Sequence, residues 1–216
     1  MVDKNLEKKT IRKKHKHSVK HSKENALEDH EKIALLSEIK NLSMDAKIKY
    51  KYEVLIHLMM NAGMRVSEAL QVRYEWFDEI EDGIIIRIPA KARDLFNMKK
   101  DWKPKNTASK REVIFVDKGI GEKVRSFFIS NKSIGFSRQR AYQLIRMLGE
   151  KIGKPYLHPH ALRSTYANSL VYMGVNVHTL CLFMGWKNLQ TAVHYIQTSN
   201  VAARKDLLQR VKLTKD

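Results

Sequence analysis

Cysteine is nearly absent: Cys181 is the one cysteine in 216 residues. An intramolecular disulfide framework is therefore excluded, no cysteine-based zinc motif can be built, and the chain suits a reducing compartment. Long apolar runs are also missing. No stretch approaches the roughly 20 residues of a membrane span, and the N-terminus lacks the apolar core of a secretory signal, so the expected location is the cytoplasm, away from any membrane. No glycine-rich phosphate loop occurs, so no nucleotide is implied, and there is no internal repeat. Acidic residues are few, with 23 Asp+Glu against 41 Lys+Arg and a net charge of +18. Such a surface attracts polyanions, nucleic acid above all, although a ribosome-bound or merely basic protein would share it.

What is present has a clear order. A chain that is 43% hydrophobic can bury a core, and its length favours one main domain with an appendage. Residues 1–25 hold nine Lys/Arg, the three histidines His15, His17 and His21, and almost nothing apolar. That composition predicts a disordered arm for phosphate contacts. Helical spacing of Ile33, Leu36 and Ile39 predicts a helix over 27–42. A second helix reaches about Asn61, with Ser43 or Asp45 as its cap and Tyr52, Val54, Leu55, Leu58 and Met59 on a broad apolar face. Gly63 fits a left-handed helix end, which fixes the direction of Arg65 just beyond it.

Strand signals follow at Ile84–Ile88 and Val113–Val116, separated by about two dozen very basic residues including Lys99, Lys100, Lys103, Lys105, Lys110 and Arg111. The expectation is a small antiparallel sheet with a long basic hairpin, part of which forms a middle strand around Lys100 to Trp102. Beyond it, helices are predicted at about 119–130, 137–151, 160–173, 176–184 and 188–194, punctuated by glycines and prolines. A further amphipathic helix is expected from Val201 to Val211, with Val201, Leu207, Leu208 and Val211 on one side. Tyr166 and Tyr172, on the helix after Arg163, are expected to pack. His178 and Cys181 are expected in the core, and His158, ahead of Pro159, is expected to be structural.

The chemistry concentrates in residues 158–195. On a helix, His160 and Arg163 share a face and converge on one point. Attack on a phosphodiester builds negative charge on the non-bridging oxygens, and two fixed guanidiniums, Arg65 and Arg163, would bind it through charge-assisted hydrogen bonds. A tyrosine such as Tyr195 is a possible nucleophile, but with an unperturbed pKa of about 10 it needs help losing its proton. His160 and the arginine charges would supply that help.

Four segments in order resemble the tyrosine recombinases, or phage integrases, which share a catalytic core with type IB topoisomerases. They are Gly63-Met64-Arg65-Val66-Ser67-Glu68; Pro104-Lys105 followed by Lys110-Arg111-Glu112-Val113; His160-Ala161-Leu162-Arg163; and Met184-Gly185-Trp186, followed nine residues later by Tyr195. The resemblance covers about residues 34–198. It implies an α+β fold: a mostly helical catalytic core with a small antiparallel three-stranded sheet, over 26–198, with 1–25 as the arm and 199–216 as a C-terminal helix or tail.

The resemblance further implies catalytic roles for Arg65, Lys105, His160, Arg163, Trp186 and Tyr195, no cofactor and no metal. The protonating lysine is Lys105 by hairpin spacing, with Lys110 the competitor. Trp186 stands where most relatives carry a histidine, so it donates a hydrogen bond but takes no proton. Glu68 matches a position that supports the active-site histidine, with a surface role as its rival.

The implied activity is site-specific strand exchange on double-stranded DNA through a 3′-phosphotyrosyl intermediate. It would be carried out by a homotetramer on two DNA sites, joined through the C-terminal helix. Topoisomerase-like relaxation and non-catalytic DNA binding are the alternatives. Relatives also carry a separate helical domain ahead of the catalytic one. With 64 residues before Arg65, the expectation is that this domain is missing or reduced to the arm. An archaeal, bacterial or viral origin, and a mobile element, fit this family.

Overall fold

The computed structural model describes residues 26–197. The basic arm and the helix expected over 201–211 lie outside the described residues. The chain opens with α1 (Asp29–Asn41), entered through Glu28, whose N–H donates to the Glu31 carboxylate at 2.9 Å. Next comes α2 (Ala46–Met60), where the Asp45 carboxylate accepts the Lys47 N–H at 2.7 Å. This helix buries Tyr52 and every residue from Val54 to Met60. Its second half, apolar nearly all round, belongs inside a domain, while Lys47, Lys49 and Lys51 keep its first half toward solvent.

A short helix, α3 (Val66–Ala69), leads through a 3-10 turn at Tyr74–Trp76 into β1 (Phe77–Ile80) and β2 (Gly83–Ile88). Two short strands follow, β3 (Ala92–Arg93) and β4 (Asp101–Trp102), then a 3-10 turn at Thr107–Ser109 and β5 (Arg111–Phe115). The remaining helices are α4 (Lys118–Ser130), α5 (Arg138–Lys151), α6 (Pro159–Tyr172), α7 (Val177–Met184) and α8 (Leu189–Gln197). The helix α2 packs against α1, α4 and α6, while α7 lies across β5. Among the described residues, no helix is long and apolar enough to cross a membrane.

The main sheet is antiparallel in the order β1-β2-β5, with Ile86 opposite Phe77 on one side and Val113 on the other. This corrects the expected middle strand. Asp101–Trp102 pairs with Ala92–Arg93 in a separate two-stranded ribbon, and the third strand of the sheet is β1. A middle strand would have to bury side chains on both faces, which β2 does with Ile84, Ile85, Ile86 and Ile88 and a lysine-rich segment cannot do without losing the hydration of its charges.

Two apolar clusters result. The larger joins α1, α2, α4, α5 and the sheet. The smaller joins Tyr166, Ala167, Leu170 and Val171 of α6 with Leu180, Cys181 and Met184 of α7 and Ala192 and Tyr195 of α8. Burying each large apolar side chain contributes roughly 1.5–3 kcal/mol, and the smaller cluster fixes α8, with its tyrosine, on the helix that carries Arg163. Two of the packing expectations need correction: Tyr172 is 48% exposed, and His178 faces solvent rather than the core. Both are exposed positions on their helices among the described residues.

Candidate active site

Arg65 stands just past the turn made by Gly63, whose φ is +61°. A side chain at position 63 would be strained by that conformation, and its Cβ would lie 2.3 Å from Cδ1 of Tyr166. Tyr166 is buried and donates its hydroxyl to the Ile114 carbonyl at 2.9 Å. The turn is therefore glycine-specific for both conformation and space. It aims Arg65 at Glu68, with Nη1 donating to Glu68 Oε1 at 2.7 Å and to Ser109 Oγ at 2.9 Å.

Glu68 is fully buried, which excludes the surface role, and the bonds of its carboxylate go to arginines rather than to the histidine it was expected to support. Arg111 holds both of its oxygens, at 3.1 and 3.0 Å. Arg163 lies 3.9 Å away. Burial alone would raise the Glu68 pKa, but the charges of Arg111, Arg163 and Arg65 outweigh it and hold the carboxyl down at about 2. One anion thus organises three cations.

The same three arginines converge on the C-terminal end of α7. Arg111 Nε donates to the Phe183 carbonyl at 2.7 Å, Arg163 Nη2 to the Met184 carbonyl, and Arg65 Nη2 to the Gly185 carbonyl at 3.0 Å. The last carbonyls of a helix have no partner within it and carry the negative end of its dipole, so they suit guanidinium groups. Gly185 closes α7 with a φ of +58°, and a Cβ there would meet the Ala108 carbonyl oxygen at 2.8 Å and Arg111 Cδ at 2.9 Å. Arg163 is buried and also donates through Nη1 to the Gly63 carbonyl, while its Nε has no partner among the described residues.

His160 and Arg163 project from the first turns of α6, which is capped by His158 as Nδ1 accepts the Ala161 N–H at 2.9 Å. Part of the His160 ring stays open to solvent. Desolvation of the rest comes first, and the charges of Arg163, His158, Arg65 and Lys105 second, in bringing its pKa down to about 4. At neutral pH the ring is therefore an uncharged imidazole that can accept a proton. The influence of Lys105, which is itself exposed, ties the loop after β4 to this site. Lys110 is exposed at the end of the Thr107–Ser109 turn.

Tyr195 lies 6% exposed in α8, its ring stacked on Trp186 with centroids 5.0 Å apart and planes at 28°. Its hydroxyl is 2.7 Å from Ser164 Oγ, and its charge, when ionised, acts on Arg163. The structure therefore gathers Arg65, Lys105, His160, Arg163, Trp186 and Tyr195 around one region, with Tyr195 bound to a serine that sequence reasoning did not single out. Arg111 and Ser109 were missed as well. Arg111 carried a signal: it alternates with Val113 and Phe115 along β5, on the inward face. Among the described residues, no group of three His, Cys, Asp or Glu side chains could hold a metal ion.

The model of the phage integrase family matches residues 25–201. This chain belongs to that family. Among curated proteins, this integrase-family chain is similar to the tyrosine recombinase XerD of Neisseria meningitidis serogroup B, with 26% identity over 69% of the chain and 51% of that protein. It is similar also to the type 1 fimbriae regulatory protein FimE of Escherichia coli K12, with 29% identity over 74% of the chain and 80% of that protein. The chain thus spans about half the length of XerD.

Among solved structures, the family fold recurs in the XerH site-specific recombinase bound to palindromic difH substrate in a post-cleavage complex. The TM-score is 0.60 with 19% identity, over 88% of this chain and 53% of that one. The catalytic domain of bacteriophage HP1 integrase gives a TM-score of 0.52 with 14% identity, over 84% of this chain and 92% of that domain.

Proposed function

We propose that this protein cuts and rejoins double-stranded DNA in site-specific recombination. The observation that carries the reading is the meeting of Arg65 and Arg163, from separate elements, beside His160 on the helix next to Tyr195. Oriented guanidiniums stabilise the charge that develops on a phosphodiester under attack. For this the arginines exchange helix-end carbonyls for phosphate oxygens. Neutral His160 accepts the Tyr195 proton, the phenolate oxygen bonds to phosphorus, and the 5′ oxygen leaves as a hydroxyl with a proton from Lys105. The 3′-phosphotyrosyl bond conserves the energy of the original linkage, so a 5′ hydroxyl of a partner strand reverses the steps. Trp186 holds the tyrosine ring by stacking and has an indole N–H to offer a phosphate oxygen.

The wider assembly is proposed with it. Residues 26–198 form the catalytic domain, 1–25 add phosphate contacts, and 199–216 dock on a neighbouring protomer in a tetramer spanning two DNA sites, in the cytoplasm. The Tn1549 transposon integrase and XerH structures, both complexes with DNA, support this reading.

The test is incubation of wild type and Tyr195→Phe with nicked suicide DNA substrates covering candidate sites, followed by denaturing gels. A covalent adduct with a free 5′ hydroxyl, absent from the variant, is the expected result. An adduct that persists in Tyr195→Phe removes Tyr195 as nucleophile, and tight binding without any adduct leaves a DNA-binding protein.

A further inference from the structure

The β3–β4 ribbon carries an arrangement that strand cleavage does not use. Its base is anchored: Trp102 is buried with its ring 5.6 Å from that of Trp76, and Arg73 donates to the Arg93 carbonyl at 2.7 Å. Its tip is fixed as well. Asp94 Oδ1 accepts the N–H groups of Phe96 and Asn97 at 2.8 and 3.2 Å and the side-chain amide of buried Gln71 at 3.0 Å. Gln71 in turn accepts the Leu95 N–H at 3.0 Å, and Arg93 Nε donates to the Met98 carbonyl at 3.2 Å.

This well-bonded turn holds Phe96 52% exposed and Met98 55% exposed. Single exposed apolar side chains need no explanation, but two at the end of a pinned turn form a pointed apolar feature. Charge selects what meets it. Residues 91–103 hold five cations, Lys91, Arg93, Lys99, Lys100 and Lys103, against Asp94 and Asp101. Asp94 is occupied by the turn and Asp101 by Lys91 at 2.7 Å. A second copy of this chain, itself at +18, is a poor electrostatic match, and a polyanion is a good one.

Position completes the argument. Met98 precedes Lys105 by seven residues, so the tip lies within about 25 Å of that lysine, or about seven base pairs of duplex. In the major groove apolar side chains contact thymine methyl groups, whereas those that unstack base steps enter as wedges from the minor groove. A fixed tip that holds Phe96 and Met98 exposed suits a wedge.

We propose that the tip of the β3–β4 ribbon is a DNA wedge: Phe96 and Met98 enter the minor groove beside the cleavage site and unstack a base step, while Lys99, Lys100 and Lys103 bind the flanking phosphates. This rests on the strand-exchange reading above and adds to it a local untwisting of the substrate near the scissile phosphate.

The test uses the full chain carrying Tyr195→Phe, so that no strand is cut. Nicked plasmid is bound, sealed with ligase, deproteinised and resolved into topoisomers, with occupancy measured in parallel by gel shift. The expected result is a reduced linking number with the Tyr195→Phe protein, and loss of at least half of that change at equal occupancy when Phe96→Ser and Met98→Ser are added. Both side chains are exposed, so circular dichroism and melting should be unchanged. Binding without a linking change, or an equal change with and without the tip residues, overturns the wedge and leaves the strand-exchange reading intact. A tip variant that alters only the oligomeric state assigns the feature to protein contacts and also overturns it. Failure to bind duplex at low salt overturns both.

Discussion

Ser164 Oγ and the Tyr195 hydroxyl oxygen lie 2.7 Å apart in the buried seam between α6 and α8. The proposed nucleophile is thus held by the helix that carries Arg163 and His160, through a hydrogen bond between two hydroxyl groups. Ser164→Ala removes that bond at a cost of about 1 kcal/mol, to be read from urea unfolding. Covalent adduct formation on nicked DNA is expected to rise several-fold, because Tyr195 no longer has to leave Ser164. A slower variant would instead make Ser164 a positioning residue for the attack.

Glu68 binds the arginine cluster, and its removal tests how much that cluster depends on one anion. Its folded-state pKa of about 2 lies below the ordinary carboxyl value of 4.5, so the stability it contributes is fully present above about pH 4.5 and is lost as pH falls through about 2. The difference corresponds to about 3 kcal/mol. Glu68→Gln should lower stability by about that amount at pH 7 and flatten the decline between about pH 4.5 and 2. Denaturant melts at a series of pH values decide it.

The His160 pKa of about 4 lies below the ordinary 6.5, so between those values the unfolded chain binds the extra proton and stability falls as pH falls. NMR titration of the free protein should show His160 neutral down to about pH 5. Bound DNA brings phosphate charge against the surrounding cations, and the titration should then move upward. An unshifted titration in the complex would place the phosphate away from this ring.

Lys105 and Lys110 separate by variant. Lys105→Ala is expected to slow cleavage by roughly 10²–10⁴-fold, the usual range for loss of a general acid, while Lys110→Ala stays within a few-fold of wild type. A substrate with sulfur in place of the leaving 5′ oxygen needs no proton, and should restore Lys105→Ala. The opposite pattern would give the role to Lys110.

Much of this was legible in the residues because the relevant information is local. Helical spacing puts His160 and Arg163 on one face, and a left-handed glycine fixes what Arg65 can do. A broad apolar face marks α2 as a core helix, while a run of isoleucines marks β2 and alternation marks β5. The sheet partner β1 was less legible: Phe77-Asp78-Glu79-Ile80 is short, acidic and partly exposed, so it has little periodic signal.

The sequence by itself therefore determined the helical scaffold, the family and the order of the reactive side chains, since each depends on residues a few positions apart. Only the tertiary structure decided their partners. Arg65 meets the Gly185 carbonyl across 120 positions of chain, Arg111 meets Glu68 across 43, and Ser164 meets Tyr195 across 31. Periodicity says which face of an element is buried, but not what it is buried against. From composition alone Arg111 is one cation among many in a basic hairpin. It becomes the centre of a buried ionic cluster because α7 lies across β5 and ends, with open carbonyls, above it.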